Sequence, residues 1–132
     1  MTAAEMRTRS AEQRDEGFLL GGAVIAVVGC LLATITPPVA GAPAAFVGSV
    51  VSSGVLGTVF AAQNLRLFRR DGAVALAPAV LTTVFGVWFM AAPLLYDTVG
   101  FLATAGTQLA GLLVAAFATY LLVYGLTAMA TE

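Results

Sequence analysis

The longest stretch of the chain without a charged side chain covers residues 17–65, and these 49 residues restrict the fold more than any other feature of the sequence. Further uncharged stretches follow at 72–96 and 98–131. A helix needs roughly 20 apolar residues to cross the hydrocarbon layer of a membrane, so each stretch is long enough for one or two crossings. The composition agrees, because 60% hydrophobic and 10% charged residues lie outside the usual range of soluble domains. The sequence therefore predicts an integral membrane protein.

Prolines and glycines divide the uncharged stretches into four predicted transmembrane helices. Pro37 and Pro38 are expected to end the first helix, because proline lacks the backbone N–H that continues it. Gly72 stops the second helix, and Pro78 lies in the first turn of a late-starting third helix. The predicted crossings are residues 18–36, 44–65, 77–95 and 101–129. We therefore expect an all-α, four-helix transmembrane bundle within residues 17–132, preceded by a polar cytoplasmic tail at 1–16.

The polar tail has two interpretations at this point. Thr2 with Glu5, and Ser10 with Gln13, have the spacing of a capping box, which favours a partly helical tail at the membrane surface. The other interpretation is a frayed, solvated terminus.

The first apolar stretch also resembles a secretory signal, since it follows charged residues and ends near the small residues 40–42. It is longer than a usual signal core, however, and Pro43 would directly follow the cut. We therefore expect the first crossing to belong to the mature protein.

Arginine supplies all six basic residues of the chain, and the arginines predict its orientation. They form one group in the tail and one in the middle of the chain: Arg7, Arg9 and Arg14, then Arg66, Arg69 and Arg70. The positive-inside rule places both groups, and with four crossings both termini, on the cytoplasmic side of the cell membrane. The central group is either a plain topology determinant or a site for anionic lipid headgroups, where each arginine is worth about 1 kcal/mol.

The two halves of the chain are related by a shift of 57 residues. The prolines at the outer ends, Pro37 and Pro93, agree with this shift to within one residue. Seven identities accompany it, including Gly54 with Gly111: Val27/Val84, Gly29/Gly86, Gly54/Gly111, Leu56/Leu113, Phe60/Phe117, Ala61/Ala118 and Leu65/Leu122. Each half contains two crossings, so the copies share one orientation. We therefore predict two transmembrane hairpins related as a parallel repeat.

A family resemblance rests on residues of the second half. Residues 86–95 read Gly-Val-Trp-Phe-Met-Ala-Ala-Pro-Leu-Leu, and residues 111–115 read Gly-Leu-Leu-Val-Ala. These stretches resemble the SPW repeat family of small prokaryotic membrane proteins, whose two-helix unit often occurs twice. The family's Ser-Pro-Trp motif is replaced here by Ala-Pro-Leu at 92–94 and Thr-Pro-Pro at 36–38, so only its proline is kept. The resemblance implies a pair of hairpins and no established activity.

Small side chains mark the candidate helix-packing faces. Lipid gives helices no hydrophobic reason to associate, so close approach depends on residues that let backbones touch. Such residues recur every four positions in the second and fourth crossings: Ser49, Ser53, Gly57 and Ala61, then Ala103, Thr107, Gly111, Ala115 and Thr119. The strongest candidates are Gly54, Gly57, Thr107, Gly111 and Ala115. Their face packs either within the chain's own four helices or against a partner protein or a second copy.

Polar residues within the crossings are few, and none is charged. Gln108 lies roughly 12 Å along the fourth helix, where we expect a hydrogen bond to a neighbouring helix, with substrate contact as the alternative. Gln63 and Asn64 are expected to satisfy frayed backbone groups at the inner interface. Asp97 reads as a solvated turn residue, or else as a contact for a cation or an outer partner.

The aromatic residues near the crossing ends have separate expected roles. Tyr96 and Tyr124 are expected to anchor the helices at the two interfaces. Trp88 is too deep for an anchor, and we expect it to pack against the proline-marked end of the first helix.

Enzymatic chemistry has no recognisable residues in this chain. Histidine is absent, and the single cysteine, Cys30, is expected to be an apolar packing residue. The sequence therefore predicts no enzyme, cofactor, metal site or nucleic-acid partner. It favours an accessory or assembly subunit, or a self-associating bundle, that acts through helix packing. The alternative is a subunit of an oligomeric transporter or channel, with Thr107 and Gln108 lining the path.

Overall fold

The computed structural model describes residues 2–130, which form four α-helices. The helices are α1 (Ala3–Val39), α2 (Ala44–Asp71), α3 (Leu76–Leu95) and α4 (Phe101–Ala130). Even α3, the shortest with 20 residues, is about 30 Å long at the helical rise, which matches the hydrocarbon thickness of a membrane. All four are long and apolar enough to cross it. The protein is therefore a multi-pass, all-α membrane protein.

The four helices form a bundle in which chain neighbours are also neighbours in space. α1 packs against α2 and α4, and α3 packs against the same two helices from the other side. α1 also touches α3 across the diagonal, whereas within residues 2–130 α2 and α4 do not meet. Short connections make successive helices antiparallel. The four-helix bundle predicted from the sequence is confirmed, with α1–α2 and α3–α4 as its two hairpins.

The tail is helical and continuous with the first apolar segment. Thr2 caps α1 by a capping box: the Glu5 N–H donates to Thr2 Oγ1 at 3.2 Å, and the Thr2 N–H donates to Glu5 Oε2 at 3.0 Å. The second spacing, Ser10 with Gln13, lies in the helix interior and starts no helix. α1 is consequently a single helix of 37 residues.

The outer end of α1 corrects the expectation that two prolines stop the helix at residue 36. α1 continues through Pro37 and Pro38 to Val39, although neither proline has an N–H to donate to the carbonyl four residues earlier. Gly41 then takes a left-handed conformation with φ +70°. Pro93 has the same place in α3, two residues before the last helical residue. The first residues of α2 and α4 are 57 positions apart, so the two hairpins keep the register of the sequence repeat.

The inner end of α2 extends past the predicted limit at residue 65. The helix continues to Asp71, so the central arginines lie on its last turns rather than in a loop. It ends as expected at Gly72, whose φ is +69° and whose N–H donates to the Phe68 carbonyl at 2.8 Å. α3 begins at Leu76, with Pro78 in its first turn.

Candidate functional site

The contact between α3 and α4 brings two backbones together at Gly86 and Gly111. A Cβ built on Gly111 would lie 2.8 Å from the Gly86 carbonyl oxygen and 2.9 Å from the Met90 nitrogen. A Cβ on Gly86 would lie 2.6 Å from the nitrogen of Ala115. No side chain fits at such distances, so glycine is required at both positions for this approach.

The hairpin α1–α2 uses the repeat-equivalent glycine in the same way. A Cβ on Gly54 would collide with the side chain of Thr34 and lie 3.1 Å from its Cα. A Cβ on Gly57 would lie 3.3 Å from Cys30 Sγ of α1 and 3.4 Å from Phe85 Cβ of α3. Gly54 and Gly111 therefore each face the first helix of their own hairpin. All three of these candidate glycines lie inside the bundle rather than on its surface.

The four-residue stripe on α4 leaves the interface along the helix. Thr107 and Gly111 are buried, Ala115 is half-buried and Thr119 is exposed. Four residues turn an α-helix by roughly 40° more than one full turn, so the stripe rotates steadily out of the contact. The buried face follows a different set of residues: Ala103, Thr107, Ala110, Gly111, Val114, Ala118, Leu121 and Gly125.

A groove between α2 and α3 carries hydroxyl groups on the outside of the bundle. Its volume is about 530 Å³, and its lining comprises Ser49, Ser52, Ser53, Leu56, Val84, Phe85 and Trp88. The indole N–H of Trp88 donates to Ser53 Oγ at 2.9 Å. This bond joins α3 to α2 and corrects the expectation that Trp88 packs against α1. The partner was not predictable from the sequence, because serine spacing on α2 does not say which neighbour it faces.

One side of this groove is an open face of small residues on α2. Ser52 is exposed, and its hydroxyl donates to the Gly48 carbonyl at 2.7 Å. A Cβ built on Gly48 would meet nothing within 4 Å. We call Gly48, Ser49 and Ser52 the serine face.

Gln108 lies in a second groove, between α3 and α4. Its Nε2 donates to the Met90 carbonyl at 3.2 Å, the interhelical bond predicted from the sequence. The groove has a volume of about 720 Å³ and an otherwise apolar lining: Val87, Met90, Ala91, Leu94, Ala105, Leu109 and Leu112. Thr107, the adjacent residue, points into the core, and its hydroxyl has no hydrogen-bond partner within residues 2–130. The two residues considered for a transport path thus face different sides of α4.

Asn64 is buried inside the bundle, which corrects its expected role at a frayed helix end. Because α2 remains helical for seven more residues, no free backbone groups occur there. The side chain is 2% exposed, and its Oδ1 has no hydrogen-bond partner among the described residues. Gln63, by contrast, is exposed.

The outer turn between α3 and α4 is packed from one side. Tyr96 is half-buried, and its ring meets that of Phe46 edge to face, with centroids 5.6 Å apart. Asp97 is exposed, as expected of a turn residue. Thr98 has a φ of +57°, in the left-handed region that β-branched residues rarely adopt. Tyr124, at the other end of α4, is exposed.

The three central arginines meet on one side of the inner end of α2. Arg66, Arg69 and Arg70 line a groove together with Ala62 and Leu65. Continued helix brings them together, since positions i, i+3 and i+4 share a face.

Metal-binding chemistry has no candidate in the described part of the chain. Residues 2–130 contain no group of three histidine, cysteine, aspartate or glutamate side chains placed to hold a metal ion. Cys30 is fully buried in the core, against the contact between α1 and α2.

Apolar helices with glycine contacts inside and polar-lined grooves outside define a multi-pass helical membrane protein. Comparison with known proteins finds no family model, curated protein or solved structure that matches the chain. The resemblance to the SPW repeat family therefore stays a prediction.

Proposed function

We propose that this chain is a non-enzymatic protein of the cytoplasmic membrane that acts by packing its helices against another membrane-embedded chain. It is either a self-associating bundle or an accessory subunit of a larger assembly. The observation that carries this proposal is the serine face, where small side chains are turned toward lipid.

The serine face differs from the other small-residue contacts because two of its three residues, Gly48 and Ser52, are exposed among the described residues. Gly54, Gly57 and Gly111 are already used by neighbouring helices of the same chain. Gly48 and Ser52 have the same small side chains at a four-residue spacing, but they are exposed. Small residues at this spacing let a second helix approach closely, and their hydroxyls add hydrogen bonds across the contact. A helix from another chain fits this surface better than lipid does.

The α3–α4 groove adds a second argument for association. Gln108 donates its amide N–H to Met90, and its Oε1 accepts no hydrogen bond from residues 2–130. An amide oxygen facing lipid is costly unless it finds a donor. A neighbouring transmembrane helix supplies one.

The orientation follows from the arginine positions. α1 begins and α2 ends at the same end of the bundle, so both arginine groups lie at that end. By the positive-inside rule this end faces the cytoplasm, and so do both termini.

Cysteine cross-linking in isolated membranes tests the proposal. In a Cys30→Ala background, Ser52→Cys places a single thiol on the serine face. Leu31→Cys is the matched control, because Leu31 is also exposed and lies eight residues from the outer end of α1, as Ser52 does from the outer end of α2. After each thiol is labelled with a benzophenone maleimide, irradiation joins the label to a C–H bond of any adjacent chain and is expected to give a covalent protein–protein product with Ser52→Cys and not with Leu31→Cys.

The mass of the product distinguishes the two forms of the proposal. Twice the mass of the chain indicates self-association, and any other mass indicates a partner subunit. Cross-linking of Ser52→Cys no stronger than that of Leu31→Cys contradicts the proposal.

A further inference from the structure

The inner end of α2 carries a groove with three guanidinium groups above an apolar floor. Its volume is about 480 Å³, and its lining comprises Ala62, Leu65, Arg66, Arg69 and Arg70. The two small or apolar residues lie one turn before the arginines along the helix. The groove thus changes from apolar to cationic within a single helical turn.

The depth of the groove matches the headgroup layer. From Ala44, the first residue of α2, to Arg66 the helix rises about 33 Å, slightly more than the ~30 Å hydrocarbon thickness. With Ala44 at the outer edge of the hydrocarbon, as the proposed placement requires, this rise puts Leu65 at the inner edge and the guanidinium groups at the level of the phosphates. A helical rather than loop conformation fixes this depth.

The positive charge of the groove is largely uncompensated. Arg70 Nε pairs with Asp71 Oδ1 at 3.1 Å. The side chains of Arg66 and Arg69 make no hydrogen bond or ion pair with any residue from 2 to 130. Glu16 of α1 shares a neighbouring pocket with Arg69 but does not reach salt-bridge distance. Two guanidinium forks therefore face the membrane surface without a partner.

We propose that this groove binds the phosphate of an anionic phospholipid. Arg66 and Arg69 hold the phosphate oxygens, since the planar guanidinium forms paired hydrogen bonds with phosphate. Leu65 and Ala62 contact the upper part of an acyl chain. Arg70, which is paired with Asp71, adds a weaker attraction. The site depends on the proposed placement of this end of the bundle at the membrane surface, and it does not depend on helix association.

Native mass spectrometry of the purified protein in mild detergent tests the site with three probes: phosphatidylglycerol, phosphatidylcholine and inorganic phosphate. Phosphatidylglycerol is expected to remain bound in preference to phosphatidylcholine by roughly tenfold. An excess of inorganic phosphate is expected to leave it bound, because the acyl-chain contacts belong to the lipid alone. Equal retention of both lipids, or displacement by inorganic phosphate, overturns the proposal.

Paired variants locate the site on α2. Arg66→Gln with Arg69→Gln is expected to abolish the preference, whereas Arg7→Gln with Arg9→Gln removes the same charge from the tail and is expected to keep it. Equal losses in the two pairs overturn the assignment.

A charge-conserving pair separates phosphate recognition from simple attraction and retains the charge that orients the chain. Arg66→Lys with Arg69→Lys is expected to weaken the preference by roughly threefold, because an ammonium group lacks the planar fork. Wild-type retention by this pair overturns the role assigned to the guanidinium groups.

Discussion

Gly111 faces Gly86 so closely that a Cβ on Gly111 would lie 2.8 Å from the Gly86 carbonyl oxygen. The obstacle is backbone rather than a flexible side chain, so it does not move aside without moving α3. The α3–α4 contact therefore depends on the absence of two side chains.

Gly111→Ala is expected to lower the free energy of unfolding by about 1–3 kcal/mol, the range found for overpacked cores. Unfolding in mixed detergent micelles, followed by circular dichroism, measures it. Gly21→Ala is the matched control, because it also replaces a helical glycine but its new Cβ meets nothing within 4 Å. That control is expected to be neutral or slightly stabilising. Equal stability of the two variants would contradict the backbone contact.

The Trp88–Ser53 hydrogen bond is expected to couple α2 and α3 by about 0.6 kcal/mol, the mean for side-chain hydrogen bonds between transmembrane helices. A double-mutant cycle with Trp88→Phe and Ser53→Ala measures this coupling. Trp88 is also the only tryptophan, so its fluorescence is expected to shift in Ser53→Ala. Strictly additive effects of the two changes would show that the bond contributes nothing.

Thr98 occupies a left-handed conformation that costs a β-branched residue roughly 1 kcal/mol, whereas asparagine adopts it readily. Thr98→Asn is therefore expected to raise the free energy of unfolding by about 1 kcal/mol. Thr127→Asn, an exposed helical position, is the control and is expected to give no gain. A loss of stability in Thr98→Asn would count against this turn geometry.

Asn64 buries an amide oxygen that accepts no hydrogen bond from the described residues. Asn64→Leu keeps the branched shape and the four heavy atoms of the side chain and removes this cost, so thermal unfolding in detergent is expected to show a gain of about 1 kcal/mol. Gln63→Leu, the same type of change at the adjacent exposed position, is expected to have little effect. Destabilisation by Asn64→Leu would contradict the prediction and show that the Asn64 amide contributes to the stability of the bundle.

The sequence predicted the number of helices and their membrane-spanning class because both follow from the lengths of the uncharged, apolar stretches along the chain. The start of α4 at Phe101 and the stop of α2 at Gly72 followed from local chemistry in the same way. The continuation of α1 through Pro37 was not predicted, because proline disfavours a helix locally, whereas Pro37 is buried in the bundle and the local sequence does not show that packing.

Contacts between helices were less predictable, since they depend on rotation about each helix axis. The stripe from Thr107 to Thr119 rotates out of the interface, because each four-residue step turns the helix by more than one full turn. The partner of Trp88 and the burial of Asn64 depend on how α2 sits between its neighbours, which no local pattern encodes. Gly54 and Gly111 were identified because a close contact between two helix backbones requires glycine.

The most direct test of the central claim, a four-crossing bundle with its arginine-bearing ends in the cytoplasm, is a topology measurement with reporter fusions in cells. Two reporters are used, one active only in the cytoplasm and one active only outside the membrane. Fused after Gly72, only the cytoplasmic reporter is expected to be active. Fused after Asp97, only the external reporter is expected to be active. The opposite pattern, or the same side for both fusions, would contradict the account.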